Sequence, residues 1–408
     1  MIPQKDRLWW EREDLCYKDG HLFFSGNSVT DLIGSTGLAS LTGTPAFFYS
    51  GRRIVANIER LQKALSQLDS YKIYYAIKAN RFAPVLTYIK STGLCGVDIC
   101  SPGELLHAFS CGFKRNEISY TAHSMTNDEL RLLADNPDVA LNCDSLSIIR
   151  RLGKFCSNRK IGIRVNPAMG IGYRDNEILK YSGDKTTKFG IYREQFDEAL
   201  RLAEENNLIV DTIHFHTGCG YLNNQLSIFN EILDATHWFV DKVKDLAFIN
   251  LGGGLGVPHD VDDAHLDLDA WVSIIKSHFE NKGLTICVEP GDYIVKDSGI
   301  LVLEVNTVER KQKTDFIGVN GGFNLAIEPS FYGLPCEPVV HQQKTDKMKT
   351  VTIVGNINES LDVWKENFSM PDQIKEGDPL VFINAGGYAS SMMSNHCMRG
   401  AVSENILF

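Results

Sequence analysis

The chain has 408 residues, 43% hydrophobic and 23% charged, with a formal net charge of −10. That is enough ordinary globular sequence for two domains. The acidic balance disfavours nucleic acid and anionic membranes as partners, no apolar run reaches the length of a membrane span, and residues 1–12 lack a signal-peptide core, so the expected location is the cytoplasm.

Residues 1–44 hold short mixed stretches, such as His21-Leu22-Phe23-Phe24, broken by Gly26, Gly34, Gly37 and Gly43. They read as strand and loop. A short apolar run follows at 45–49, and 54–68 has helical apolar spacing. From Lys72 a unit recurs eight times: a short apolar run, a polar or Gly-rich tip, then an amphipathic helix. The runs are 72–79, 95–100, 117–122, 139–144, 160–166, 209–216, 245–251 and 284–289. Eight strands alternating with helices over about 250 residues predict an α/β fold, a (β/α)8 TIM barrel. Beyond Gly291 the period changes. The stretches 299–308, 315–320, 350–354 and 379–383 are β-rich with turns between them and no convincing helices, which predicts an all-β C-terminal domain. The expected division is 1–44 joining that β domain, 45–297 as the barrel, and 298–408 as the β domain proper.

The ten cysteines are scattered without a C-x-x-C pair, which fits reduced thiols rather than a disulfide framework or zinc site. Chemistry is expected where polar residues gather. Lys78, Asp98, Ser101, His216, Gly252-Gly253-Gly254 and Glu289 all fall at or just past the C-terminal ends of the eight runs, the face where barrel enzymes build their sites. Lys78 ends the apolar stretch KIYYAIKAN (72–80). Desolvation there favours the neutral amine, which can attack a carbonyl. Taken alone, the window is better read as a lysine snorkelling to water; its company changes that. The glycine run after the seventh strand is a weak sign of phosphate binding in isolation and a stronger one at that position. His214 and His216, at i and i+2, face one side of the sheet. Without a third ligand at suitable spacing they read as one barrel-packing and one site histidine rather than a zinc pair. Glu289 closes strand eight. It is either a plain strand terminus or a carboxylate held against a ring nitrogen.

In order along the chain stand YAIKAN (75–80), DICSPGE (98–104), KFG (188–190), FHTG (215–218), GGG (252–254), EPG (289–291), ESLD (359–362) and Gly387-Tyr388. Together these motifs resemble the pyridoxal-phosphate decarboxylases of the alanine-racemase fold, the diaminopimelate and ornithine decarboxylases among them, from about Pro45 to Ser394. The resemblance implies pyridoxal 5'-phosphate as cofactor, held as a Schiff base on Lys78. His216 would stack on its ring and Glu289 would hydrogen-bond its pyridine nitrogen. Asp98, Cys219, Gly252, Gly253, Gly254 and Tyr388 would complete the cofactor site. It also implies a homodimer with shared active sites, in which the 359–362 stretch reaches the partner's site and Glu359 and Asp362 bind substrate. Lys188 matches a motif without an assigned role.

Two departures lie on the substrate side. Asn358 stands where the family has a cysteine that returns a proton to the substrate carbon, and an amide has no proton to give at neutral pH. Asp292 stands where the family has arginine. Cys219 for serine is a milder change. The resulting expectation is a pyridoxal-phosphate-dependent decarboxylase of an amino acid or amino-acid conjugate, with an atypical substrate lacking a distal carboxylate or carrying a basic group. A racemase or epimerase on the same fold and a catalytically degenerate regulatory homologue are the alternatives; the retained Lys78 argues against the latter.

Overall fold

The computed structural model describes residues 8–35, 43–183, 185–343 and 347–408. They form two compact units: a barrel unit of residues 56–257 and 264–294, and a β unit containing the rest.

The barrel strands are β1 (Tyr71–Ala76), β2 (Gly96–Ile99), β3 (Ile118–Ala122), β4 (Ala140–Cys143), β5 (Arg159–Asn166), β6 (Leu208–His214), β7 (Phe248–Asn250) and β8 (Thr285–Val288). Every neighbouring pair is parallel, and β8 pairs back to β1 with Val288 opposite Ile73, which closes the ring. All eight expected strands are present in order. Local chemistry sets the helix starts. Ser101 accepts from the Glu104 N–H at 3.1 Å ahead of helix Pro102–Ser110, and the Glu104 carboxylate accepts from the Cys100 N–H at 2.6 Å. Part of the DICSPGE motif is therefore a helix cap, a device worth about 1 kcal/mol. Thr126 and Glu129 form a capping box on Asn127–Ala134, whose Leu130 and Leu133 are buried.

In the β unit the long strand Gly299–Lys311 is the spine. It pairs antiparallel with Ala46–Ser50 through Gly299–Val302, with Pro379–Phe382 through Leu301–Glu304, and with Thr314–Val319 beyond an irregularity after Val305. Leu15–Lys18, His21–Phe24 and Asn27–Ser28 make a small sheet whose Leu15, Leu22 and Phe24 share a core with Phe48, Ile300 and Val381. The strand Ala46–Ser50, expected with the barrel, belongs to the β unit. It lies between Gly299–Val302 and Ser403–Leu407 with all five residues buried, so its unbroken apolar run marks a central strand. Two short α-helices, Val29–Gly34 and Glu328–Tyr332, stand among the strands of the β unit. Among the described residues no helix is long and apolar enough to cross a membrane.

Candidate active site

Lys78 stands two residues past β1, on backbone fastened from both sides. The Ala76 N–H donates to the Pro290 carbonyl and the Ile77 N–H to the Asp98 carbonyl, each at 3.1 Å. The amine lies 3.0 Å from Asp98 Oδ2; the Lys78 side chain is 42% exposed and that of Asp98 only 2%, so the amine is reachable while the carboxylate is locked in place. The enclosing barrel wall disfavours charge on Lys78, but Asp98 outweighs it and raises the amine above the ordinary lysine range. The sequence-based expectation of a neutral amine therefore fails, because it counted desolvation without the partner carboxylate. Burial and the charge of Glu289 work to raise Asp98, and the Lys78 ammonium at 3.0 Å opposes them and favours the ionised pair. Asp98 Oδ1 is buried with no hydrogen-bond partner among the described residues.

Glu289, just past β8, is buried and saturated with donors. Its Oε2 lies 2.9 Å from His214 Nε2, and its Oε1 accepts from Asn250 Nδ2 at 2.7 Å and Ser119 Oγ at 2.9 Å. Burial works to raise its pKa, yet His214, then Lys78 and Asn250, bring it down to about 2. It is an ionised carboxylate aimed by β3, β6 and β7. His214 is thus more than the packing histidine expected from the sequence.

His216 continues from β6. Its Nδ1 accepts from the Gly253 N–H at 3.3 Å, which places the proton on Nε2, and Nε2 faces the Cys219 sulfur at 3.8 Å. Burial, followed by the charges of Arg164 and Lys78, holds His216 well below the ordinary histidine range, so the ring is neutral. It leans on Tyr181, ring centroids 4.9 Å apart, and Tyr181 meets Phe189 at 5.2 Å. The Arg164 guanidinium sits 4.6 Å from the Phe189 centroid. The KFG motif, without a role in the sequence, thus props Tyr181 against His216 through Phe189.

The glycine run is required by crowding. A Cβ on Gly252, Gly253 or Gly254 would lie 2.5, 2.4 or 2.4 Å from the carbonyl oxygens of Phe215, Glu289 and Gly218 respectively, and Gly252 and Gly254 have φ of 67° and 104°. Two of its amides are already used: Gly252 donates to Asn250 Oδ1 at 3.0 Å and Gly253 to His216. Gly254 carries the amide with no acceptor among the described residues. Asp292 opens the four-residue helix Asp292–Val295 and is half-buried.

The remaining expected site residues belong to the β unit. Tyr388 has φ of 51° and follows Gly387, whose carbonyl lies 3.3 Å from the buried Lys296 amine. Asn358 and Glu359 are exposed, and Glu359 is 3.6 Å from His396. Asp362 differs from expectation. It is 4% exposed, and its two oxygens accept from the Phe323 N–H at 2.8 Å and the Ile357 N–H at 2.7 Å. These two bonds shape the turn that presents Asn358 and Glu359, and each oxygen keeps a further lone pair.

The barrel residues fit pyridoxal phosphate. An amine with an adjacent carboxylate, an ionised buried carboxylate, a neutral imidazole and a glycine-only backbone patch are the donor set that an aldehyde, a ring nitrogen, a ring face and a phosphate call for. Residues 52–296 match the family model of the pyridoxal-dependent decarboxylases, pyridoxal binding domain. A diaminopimelate decarboxylase of Methanothermobacter thermautotrophicus is 32% identical, with 94% of this chain and 90% of the relative covered. A crystal structure from Aquifex aeolicus superposes with a TM-score of 0.84 at 27% identity, covering 97% of this chain and 92% of that one. A crystal structure of a diaminopimelate decarboxylase from M. jannaschii in complex with L-lysine superposes with a TM-score of 0.86 at 24% identity, covering 97% of this chain and 93% of that one. The chain belongs to the pyridoxal-dependent decarboxylases, and it is a pyridoxal-phosphate-dependent amino-acid carboxy-lyase.

Proposed function

We propose that this enzyme decarboxylates an amino acid or amino-acid conjugate that lacks a second, distal carboxylate or carries a basic group, instead of the diaminopimelate for which its relatives are named. Asp292 carries the reading. It puts an anion three residues past Glu289, where the family has a cation, and a carboxylate there selects for positive charge on its ligand. Lys78 would hold the cofactor, Glu289 would keep a proton on its ring nitrogen, and His216 would lie against its ring. Asp98 sets the charge on Lys78, and Cys219, Gly252, Gly253 and Gly254 would make the barrel's part of the phosphate site. When bound, pyridoxal phosphate supplies the electron sink for the pair left on Cα by departing CO2. Lys78 Nζ, held protonated by Asp98, returns the proton to Cα in place of the thiol that Asn358 replaces. The test is CO2 release from a panel of amino acids and conjugates. Turnover of basic monocarboxylates with little from diaminopimelate is expected; diaminopimelate as the best substrate overturns the reading.

The assembly proposed is a cytoplasmic homodimer in which the exposed Asn358–Glu359 turn of one chain completes the other's site. Mixed Lys78→Ala and Glu359→Ala proteins should regain part of the activity after subunit exchange. No regain after demonstrated exchange places both groups in one chain's site.

A further inference from the structure

A cavity of about 260 Å3 opens at the N-terminal end of the barrel, the end opposite the residues described above. Barrel interiors are normally filled by layers of branched side chains. Here the lining includes the small Ser119, Ala140, Gly162 and Thr212 beside Leu141 and Ile161, and space is left between them. At ~30 Å3 per molecule the space equals about nine waters, or one small amino acid.

The wall chemistry separates those occupants. Lys72 and Asp138 line the opening, both exposed, and neither has an ion-pair partner among the described residues. Lys72 belongs to β1 and Asp138 precedes β4, three places away in the ring of eight strands, so the two charges come from different parts of the rim. The second charged pair of the rim, Lys160 and Asp211, is already self-compensated at 3.7 Å. Phe248 and Tyr74 supply aromatic surface between the charges, with the Lys72 amine 4.9 Å from the Phe248 centroid. Water gains nothing from an aromatic wall. A molecule with a carboxylate at one end, an ammonium at the other and methylenes between satisfies all three features at once.

We propose that this cavity binds a small zwitterionic aminocarboxylate, its carboxylate on Lys72 and its ammonium on Asp138. The site is coupled to the active site through its inner wall. Asn142 donates to Ser119 at 3.3 Å, and Ser119 and Asn250, which both line the cavity, are two of the three donors that hold Glu289. An occupant therefore touches the network that fixes the charge opposite the cofactor nitrogen.

The test uses holoenzyme whose cofactor has been fixed to Lys78 by borohydride, so that the active site cannot form a bond with an amine. Glycine, 4-aminobutyrate and 6-aminohexanoate are titrated calorimetrically, beside hexanoate and hexylamine. One saturable site per chain for at least one aminocarboxylate is expected. Lys72→Met and Asp138→Asn, changes at exposed rim positions, should each weaken it about tenfold, and Ala140→Phe, which fills the cavity, should abolish it. The proposal is overturned if no aminocarboxylate binds saturably, if binding is unchanged in Lys72→Met and Asp138→Asn proteins of wild-type melting temperature, or if hexanoate or hexylamine binds as tightly as the aminocarboxylate.

Discussion

His214 Nε2 lies 2.9 Å from Glu289 Oε2, with both side chains buried where β6 and β8 end. An ionised carboxylate only accepts hydrogen bonds, so each donor around Glu289 stabilises its charged form. A carboxylate confined this way resists the proton that a ring nitrogen would otherwise hand it.

Removing His214 should therefore let Glu289 take up protons more readily. His214→Phe is expected to lower kcat by about 10²–10³, as loss of one preorganised charge-stabilising group does elsewhere, and to move the acid limb of the pH profile upward. Glu289 has a folded value of about 2 against ~4.3 when unfolded. Its contribution to stability is thus full above pH ~4.3 and lost as pH falls toward 2. In His214→Phe the folded value moves toward the unfolded one, so the stability lost between pH ~4.3 and 2, read in acid unfolding, should be smaller than in the wild type. An unchanged acid limb and an unchanged loss of stability would show that Asn250 and Ser119 suffice.

Lys78 and Asp98 give a second, opposite signature. Bond formation with an aldehyde needs the neutral amine, and Asp98 holds Lys78 charged. The rate at which apoprotein takes up pyridoxal phosphate should rise with pH, and Asp98→Asn should move that rise to lower pH. Measurement is by the growth of cofactor absorbance. A pH rise at the same position in both proteins would remove Asp98 from the role.

Much of this was legible in the chain. The period of eight strands, and the polar residues at their ends, placed Lys78, Asp98, His216, the glycine run and Glu289 at one end of one barrel, because a strand's last residues are fixed by the strand. What escaped were groups whose roles depend on register across the ring. Ser119, Asn250 and His214 come from three strands, and nothing local marks them as converging on Glu289. The structural role of Asp362 was hidden for a related reason: a motif gives a residue's neighbourhood in sequence, whereas the Phe323 amide that meets its carboxylate comes from elsewhere in the fold. Ala46–Ser50 fell inside the barrel boundary drawn at residue 45, and only its pairing with Gly299–Val302 assigns it to the β unit.

The β unit contains a buried pair of its own. Lys296, 1% exposed, is bonded to Glu328 and to the Gly387 carbonyl beside Tyr388. Breaking a buried pair from one side leaves an uncompensated charge, so Lys296→Met should cost about 3–5 kcal/mol in denaturant unfolding. Lys296→Met combined with Glu328→Leu should recover most of that loss, because both desolvated charges are then gone. A double variant as unstable as the single would mean that Lys296 acts through the Gly387 carbonyl instead.

The last prediction concerns the proton that follows CO2 onto Cα. General-acid help of this kind is worth ~10²–10⁴ in rate. Asn358 has no proton to supply, while Lys78 Nζ has one, kept there by Asp98 at 3.0 Å. If Lys78 is the donor, Asp98→Asn should slow the steps after CO2 release at high pH, where the amine loses its proton earlier, and Asn358→Cys should restore turnover there by offering a second acid. With deuterated water as solvent, product from the wild type should carry one deuterium on Cα in a single configuration, since Lys78 can reach only one face. Asn358→Cys should then give both configurations or the opposite one, read by NMR of the product amine. Identical stereochemistry and identical pH profiles in wild type, Asp98→Asn and Asn358→Cys would assign the proton to water and leave Asn358 without a steering role.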